Sequence, residues 1–138
     1  MTDHPPLGLV LFSGDFDRIH YGLAMASAAA AINRPVTLFF TMKACRALIG
    51  ADGWRNISTE AGQSGADRDE DLRSRGIGGF GELLEACSAL GVRFIVCETG
   101  LRAEGIERST LRDDITLEVA GLVTLYNDIS ARGTLTFI

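Results

Sequence analysis

The sequence has only two histidines, His4 and His20, and only three cysteines, Cys45, Cys87 and Cys97, no two of them at CxxC spacing. That set is too poor to hold a structural zinc ion, and an odd thiol count argues against a disulfide framework. No metal site and no separate cofactor is expected. Free thiols persist in reducing compartments, so the chain reads as cytoplasmic. The GxGxxG spacing occurs only at GIGGFG, Gly76 to Gly81, and GxxxxGK does not occur. SGDFDR matches neither pattern, and the glycines from Gly76 to Gly81 follow a charged stretch instead of a strand, which makes them a hinge before a helix. Basic residues are also in deficit, 13 against 18 acidic for a net charge of −5, with no basic cluster to offset it. That balance argues against non-specific nucleic-acid binding. No apolar run is long enough for a membrane span, the best being the alanine-rich stretch from Leu23 to Ile32. The opening MTDHPPLGLVLFSGD lacks the positive start of a secretory signal.

What is present is a rhythm of short apolar runs and helical patterns. At 138 residues, 46% of them hydrophobic, the chain is expected to be one domain with a core that needs no staples. Leu7 to Ser13 reads as a strand buried on both faces. Asp15 or Asp17 can cap a helix from Phe16 to Ile32, whose many alanines permit close approach to a sheet. Pro35 prevents its continuation. Val36 to Phe40 is a second buried strand, and Thr41 to Ile49 reads as a second helix stopped by Gly50. Leu83, Leu84, Cys87 and Leu90 share a helical face ahead of Gly91. Val92 to Cys97 is a third strand, with its regular part from Arg93, and a short helix follows from about Thr99 to Glu104. Leu117 to Ala120 is either a short strand or the start of the next helix, which spans Leu122 to Ala131. Thr134 to Ile138 closes the chain as a strand. Alternating strands and helices of this kind predict a three-layer α/β/α sandwich around a mainly parallel sheet of about five strands. Between Ala51 and Gly79 the rhythm breaks. This polar insert, with DRDEDLRSR and a lone Trp54, reads as a solvated loop, a lid over the rim or a helical interface arm.

Ligands of open parallel sheets bind beyond the carboxyl ends of the strands. Three such ends deliver Ser13, Gly14 and Asp15; Thr41 with nearby Cys45; and Cys97 with Glu98 and Thr99. These form the candidate ligand-binding rim. Cys97 is the leading chemical candidate: it ends a strand just before a helix, whose amides favour a thiolate, while Glu98 beside it opposes ionisation. The bland reading is a small apolar core residue. Cys45, flanked by Lys43 and Arg46, is a possible second thiol or a core position. Cys87 belongs to the apolar helical face. His20, one turn into its helix, is a possible base for Cys97 or simply a hydrogen-bonded helix residue. Asp15 and Asp17 are explained by capping.

The succession SGDFDRIHYGLAMASAAAAINRPVTLFFT, the insert, LLEACSALGVRFIVCETGLRAEGI and the final TLTFI resembles the DsrE/DsrF-like family over nearly the whole chain. More narrowly, it is similar to the peroxiredoxin-like branch that carries a long insert after the VTLFFT strand. The resemblance implies a sulfur-relay role, with sulfane sulfur held as a persulfide on the cysteine ending GVRFIVC, here Cys97. It implies donor and acceptor proteins or small thiols as partners, and a homo-oligomer (dimer, trimer or hexamer). Two other readings remain open: a non-catalytic ligand-binding or regulatory module, and a thiol peroxidase with Cys45 resolving Cys97. The TxxC motif of true peroxiredoxins is absent.

Overall fold

The computed structural model describes residues 4–129 and 131–138. Among them are five strands: β1 (Leu7–Leu11), β2 (Val36–Phe40), β3 (Arg93–Cys97), β4 (Leu117–Ala120) and β5 (Thr134–Phe137). They form one sheet in the order β4-β3-β2-β1-β5, and every neighbouring pair is parallel. The segments that cross between strands are helical: α1 (Phe16–Ala31), α2 (Gly65–Ser74), α3 (Phe80–Ala89), α4 (Glu98–Glu104) and α5 (Leu122–Asp128). The architecture is the expected α/β/α sandwich.

Strand alternation divides the core into two unequal parts. Leu7, Leu9, Leu11, Val36, Leu38, Phe40, Phe94 and Val96 point to the face covered by α1 and α3, where they meet Ile19, Leu23, Leu84 and Cys87. The opposite face is thin. There Phe39, Ile95 and Cys97 are covered by Leu125 of α5 and by Ile129 just beyond it. An ion-pair cluster reinforces that cover: Arg93 of β3 binds Asp128 of α5 and, at 2.6 Å, Glu118 of β4.

Several boundaries differ from the sequence reading. β1 ends at Leu11, so Phe12 and Ser13 lie beyond the strand. The segment after β2 is a 3-10 helix, Met42–Leu48, with four of its seven residues buried. It is wedged between α4 and a 3-10 turn at Gly53–Asn56, and its first residue, Met42, is held in the left-handed region at φ 51°. α5 stops at Asp128; residue 130, within the expected helix, lies outside the described residues, as do residues 1–3. The ambiguous stretch Leu117 to Ala120 is a strand.

The insert is ordered by what it lands on. Trp54 stacks on Phe80 with ring centroids 5.1 Å apart and packs against Phe16. Asp69, buried on α2, accepts the Phe80 N–H at 2.7 Å, and the Phe16 N–H donates to the Ser58 carbonyl at 3.0 Å. Arg68 adds an ion pair to Asp17 at 2.8 Å. Ser64 caps α2 by accepting the Asp67 N–H. The anchoring residues therefore belong to α1 and α3, and the segment has no separate core.

Candidate functional site

The carboxyl ends of β1, β2 and β3 do converge on one rim, but not on one pocket. Asp15 caps α1 through one carboxylate oxygen, accepting the Arg18 N–H at 3.0 Å, and with the other accepts the Glu60 N–H of the insert at 2.8 Å. The Ser13 hydroxyl accepts the Asp15 N–H at 3.0 Å. Gly14 packs against Lys43: a Cβ there would lie 2.8 Å from the Lys43 Cβ, so the absent side chain lets the two loops close together. Ser13, Gly14, Asp15, Lys43, Arg46 and residues 56–60 line a polar cleft of about 440 Å³. Arg46 also lines the adjoining cleft beside Ile49, Ile57 and Ile106 and pairs with Glu104 at 2.9 Å. Lys43, Arg46 and the insert residues of this rim were not singled out as ligand-binding positions in the sequence. The signal was present in the two cations flanking Cys45; nothing local showed that the insert would fold onto them.

Thr41 is buried, and its Oγ1 would be 3.0 Å from a Cβ on Gly100. A side chain at Gly100 would also collide with the Met42 backbone nitrogen, so this glycine sets how closely α4 seats on the β2 exit. Glu98 and Thr99 are exposed. Glu98 pairs with Arg102 at 3.4 Å and, with Leu101 and Arg108, lines a separate groove along β4.

Cys97 is the last residue of β3 and the N-cap of α4, but its side chain makes no capping hydrogen bond. Its sulfur belongs to the thin-face cluster, the residue is 3% exposed, and it lines none of the clefts described here. Cys45 belongs to the opposite core, where its S–H donates to the Phe40 carbonyl at 3.6 Å. Burial pushes its thiol up to about 12, with Cys97 and Glu104 adding to the rise. Burial likewise pushes Cys87 up to about 11, and its S–H donates to the Leu23 carbonyl at 3.5 Å. All three thiols are free. His20 is buried on α1, against Phe16, with Nε2 2.8 Å from the Gly78 carbonyl. A carbonyl can only accept, so Nε2 carries the proton. The imidazole thus meets the hinge of the insert on the α1 side of the sheet, while Cys97 faces the other side. Among the described residues no group of His, Cys, Asp and Glu could hold a metal ion, and no helix is long and apolar enough to cross a membrane.

A parallel five-stranded sheet sandwiched by helices, with a cysteine closing an inner strand, defines an α/β/α protein with a strand-end thiol. The chain belongs to the DsrE/DsrF-like family, whose sequence pattern matches residues 9–137. Two solved structures share its fold. The ychN protein from E. coli is 18% identical with a TM-score of 0.61, and MTH1491 from Methanobacterium thermoautotrophicum, a protein of unknown function, is 14% identical with a TM-score of 0.58. Each comparison covers 99% of this chain and 100% of the other. No curated protein matches the chain.

Proposed function

We propose that this protein is a sulfur-relay protein of the sulfurtransferase type, carrying sulfane sulfur as a persulfide on Cys97. The Cys97 thiolate attacks the terminal sulfur of a donor persulfide. The donor S–S bond breaks, the donor leaves as a thiolate, and Cys97 gains the sulfur. An acceptor thiolate then attacks that terminal sulfur and releases Cys97. Two thiol–persulfide exchanges balance without any oxidant, and the polypeptide itself is the carrier.

The observation that carries this reading is the contrast among the three cysteines. Of the three, Cys97 alone is itself the last residue of a strand, at the carboxyl edge where ligands of parallel sheets bind. Cys45 and Cys87 are pushed up to about 12 and about 11. Burial holds both as thiols at neutral pH, which disfavours the thiolate that attacks sulfur. The same burial argues against Cys45 as the resolving thiol of a peroxidase. Free cysteines fit a reducing, cytoplasmic setting, and five strands in one sheet fit one domain. Self-association is part of the proposal: Leu122, Val123 and Tyr126 of α5, with Leu135 and Phe137 of β5, leave apolar side chains exposed on or beside the thin face.

One observation favours a different reading. Cys97 lies under Leu125 and opens into none of the clefts described, as expected of a structural residue in a ligand-binding module. Intact mass after exposure to a persulfide donor separates the two. The relay requires a gain of one sulfur atom in the wild type and in Cys45→Ser, and none in Cys97→Ser. A wild type that stays unloaded, or a Cys97→Ser protein that loads, leaves the binding module as the better reading.

A further inference from the structure

We propose that the cleft between residues 108–116 and the edge strand β4 binds a small organic carboxylate, anchored by Arg112. The cleft measures about 680 Å³, within the range of small-molecule sites. It lies outside the sulfur chemistry, since Leu117 and Val119 on its wall pack toward the α1 side of the sheet and Cys97 faces the other.

Arg112 carries the argument. Its side chain is 9% exposed, and its Nε and Nη2 make a bidentate pair with Asp114 at 2.7 and 2.6 Å. Its Nη1 is buried and has no partner among the described residues, the sole such side-chain atom found there. A guanidinium presents five donors in a rigid plane. With the Nε–Nη2 edge occupied by Asp114, the Nη1 end remains for a second planar acceptor, and a buried cationic donor strongly favours acquiring one. The backbone fixes this residue in place. The Arg112 N–H donates to the Leu48 carbonyl at 2.9 Å, the Gly50 N–H donates to Thr110 at 2.9 Å, and Leu111 bridges Ile49.

The lining sets the ligand class. Arg108, exposed and without a side-chain partner among the described residues, supplies a second cation, while Ser109 and Thr116 supply hydroxyls. Asp113, also lining the cleft, brings an opposing charge. Two arginines against Asp113 and Asp114 leave the site formally neutral, which suits a monoanion better than phosphate or sulfate. Leu111, Ile115, Leu117 and Val119 offer apolar wall to a short carbon chain. A carboxylate with an aliphatic body satisfies both halves.

The test is an NMR titration of the ¹⁵N-labelled full chain with sodium butyrate, against sodium chloride at equal ionic strength and against 1-butanol. Butyrate is expected to shift amides of residues 108–119 saturably, and neither control should do so. Arg112→Lys keeps the charge and loses the fork, and should weaken binding about tenfold or more. Arg108→Gln, at an exposed position that leaves the fold intact, should weaken it about threefold or more. Shifts that chloride or butanol reproduces, or a butyrate affinity unchanged by Arg108→Gln, would overturn the proposal. Persulfide loading of Cys97 is expected to be the same in Arg108→Gln as in the wild type, so this site and the relay stand or fall separately.

Discussion

If Cys97 exchanges sulfur, its cover must open, and α5 is the element that can open it. The helix has seven residues and seals the sulfur mainly with Leu125, 1% exposed, and Ile129 beyond its end. The Arg93–Asp128 pair is part-exposed and adds at most about 1 kcal/mol. Burying two such aliphatic side chains contributes about 1.5–3 kcal/mol each. Local release of α5 therefore costs on the order of 3–6 kcal/mol, an open fraction of roughly 10⁻² to 10⁻⁴. Leu125→Ala should remove about 2–3 kcal/mol of that hold, the low end for buried leucine because a helix at the surface can settle inward. Iodoacetamide alkylation of Cys97, followed by intact mass and peptide mapping, should then accelerate about 30- to 150-fold. The matched control is Leu84→Ala in the other core, also 1% exposed, which destabilises the whole molecule without touching α5. Equal acceleration by both substitutions would show that Cys97 is reached only by global unfolding. Wild-type alkylation at the rate of a free thiol would show that α5 is no barrier at all.

Three further outcomes follow from described contacts. Cys45 and Cys87 ionise near 9.0 when unfolded but near 12 and 11 when folded, so both states hold the protons below pH 9 and stability is unaffected there. Above pH 9 the unfolded chain loses protons that the folded one keeps; stability falls by up to about 1.4 kcal/mol per pH unit for each group, until the folded values are passed. Urea denaturation between pH 8 and 11 should show that fall, and Cys45→Ala should flatten it. Gly100→Ala places a Cβ against the Met42 nitrogen and Thr41, and should cost about 1–3 kcal/mol in the same assay, because backbone on both sides must shift. Trp54→Ala removes the Phe80 stack and should make residues 51–79 the first site of limited proteolysis while the far-UV spectrum of the sheet persists.

The sheet was legible because its strands are buried on both faces: VTLFF and RFIVC admit little else, and their observed bounds match the expected ones. Parallel pairing followed from the helical crossovers. The 3-10 helix at Met42–Leu48 was not legible as such, since nothing local distinguishes it from an α-helix and it packs on α4, whose Gly100 is 58 residues from Met42 in sequence. A helix in the insert was one of three open readings and α2 was not placed, because it is almost wholly polar, although Ser64 three residues before Asp67 is a recognisable cap. The rim was legible only in outline. Strand ends bring Ser13, Asp15 and Thr41 to one edge, but the packing of distant elements decides which face a nearby side chain takes: His20 sits on the α1 side and Cys97 on the α5 side, while Cys45, in the α1-side core, still feels the Cys97 thiol.

The dependence of the insert on borrowed anchors has an evolutionary corollary. Trp54 and Asp69 are useful only while Phe80 presents its ring and its N–H, and Phe16 is kept dry partly by Trp54. Shortening the crossover in one step would leave two aromatic rings bare on the surface. Lineages that lack the insert should therefore show smaller or more polar residues at the positions of Phe16 and Phe80, and the two sets of residues should be inherited together as a unit.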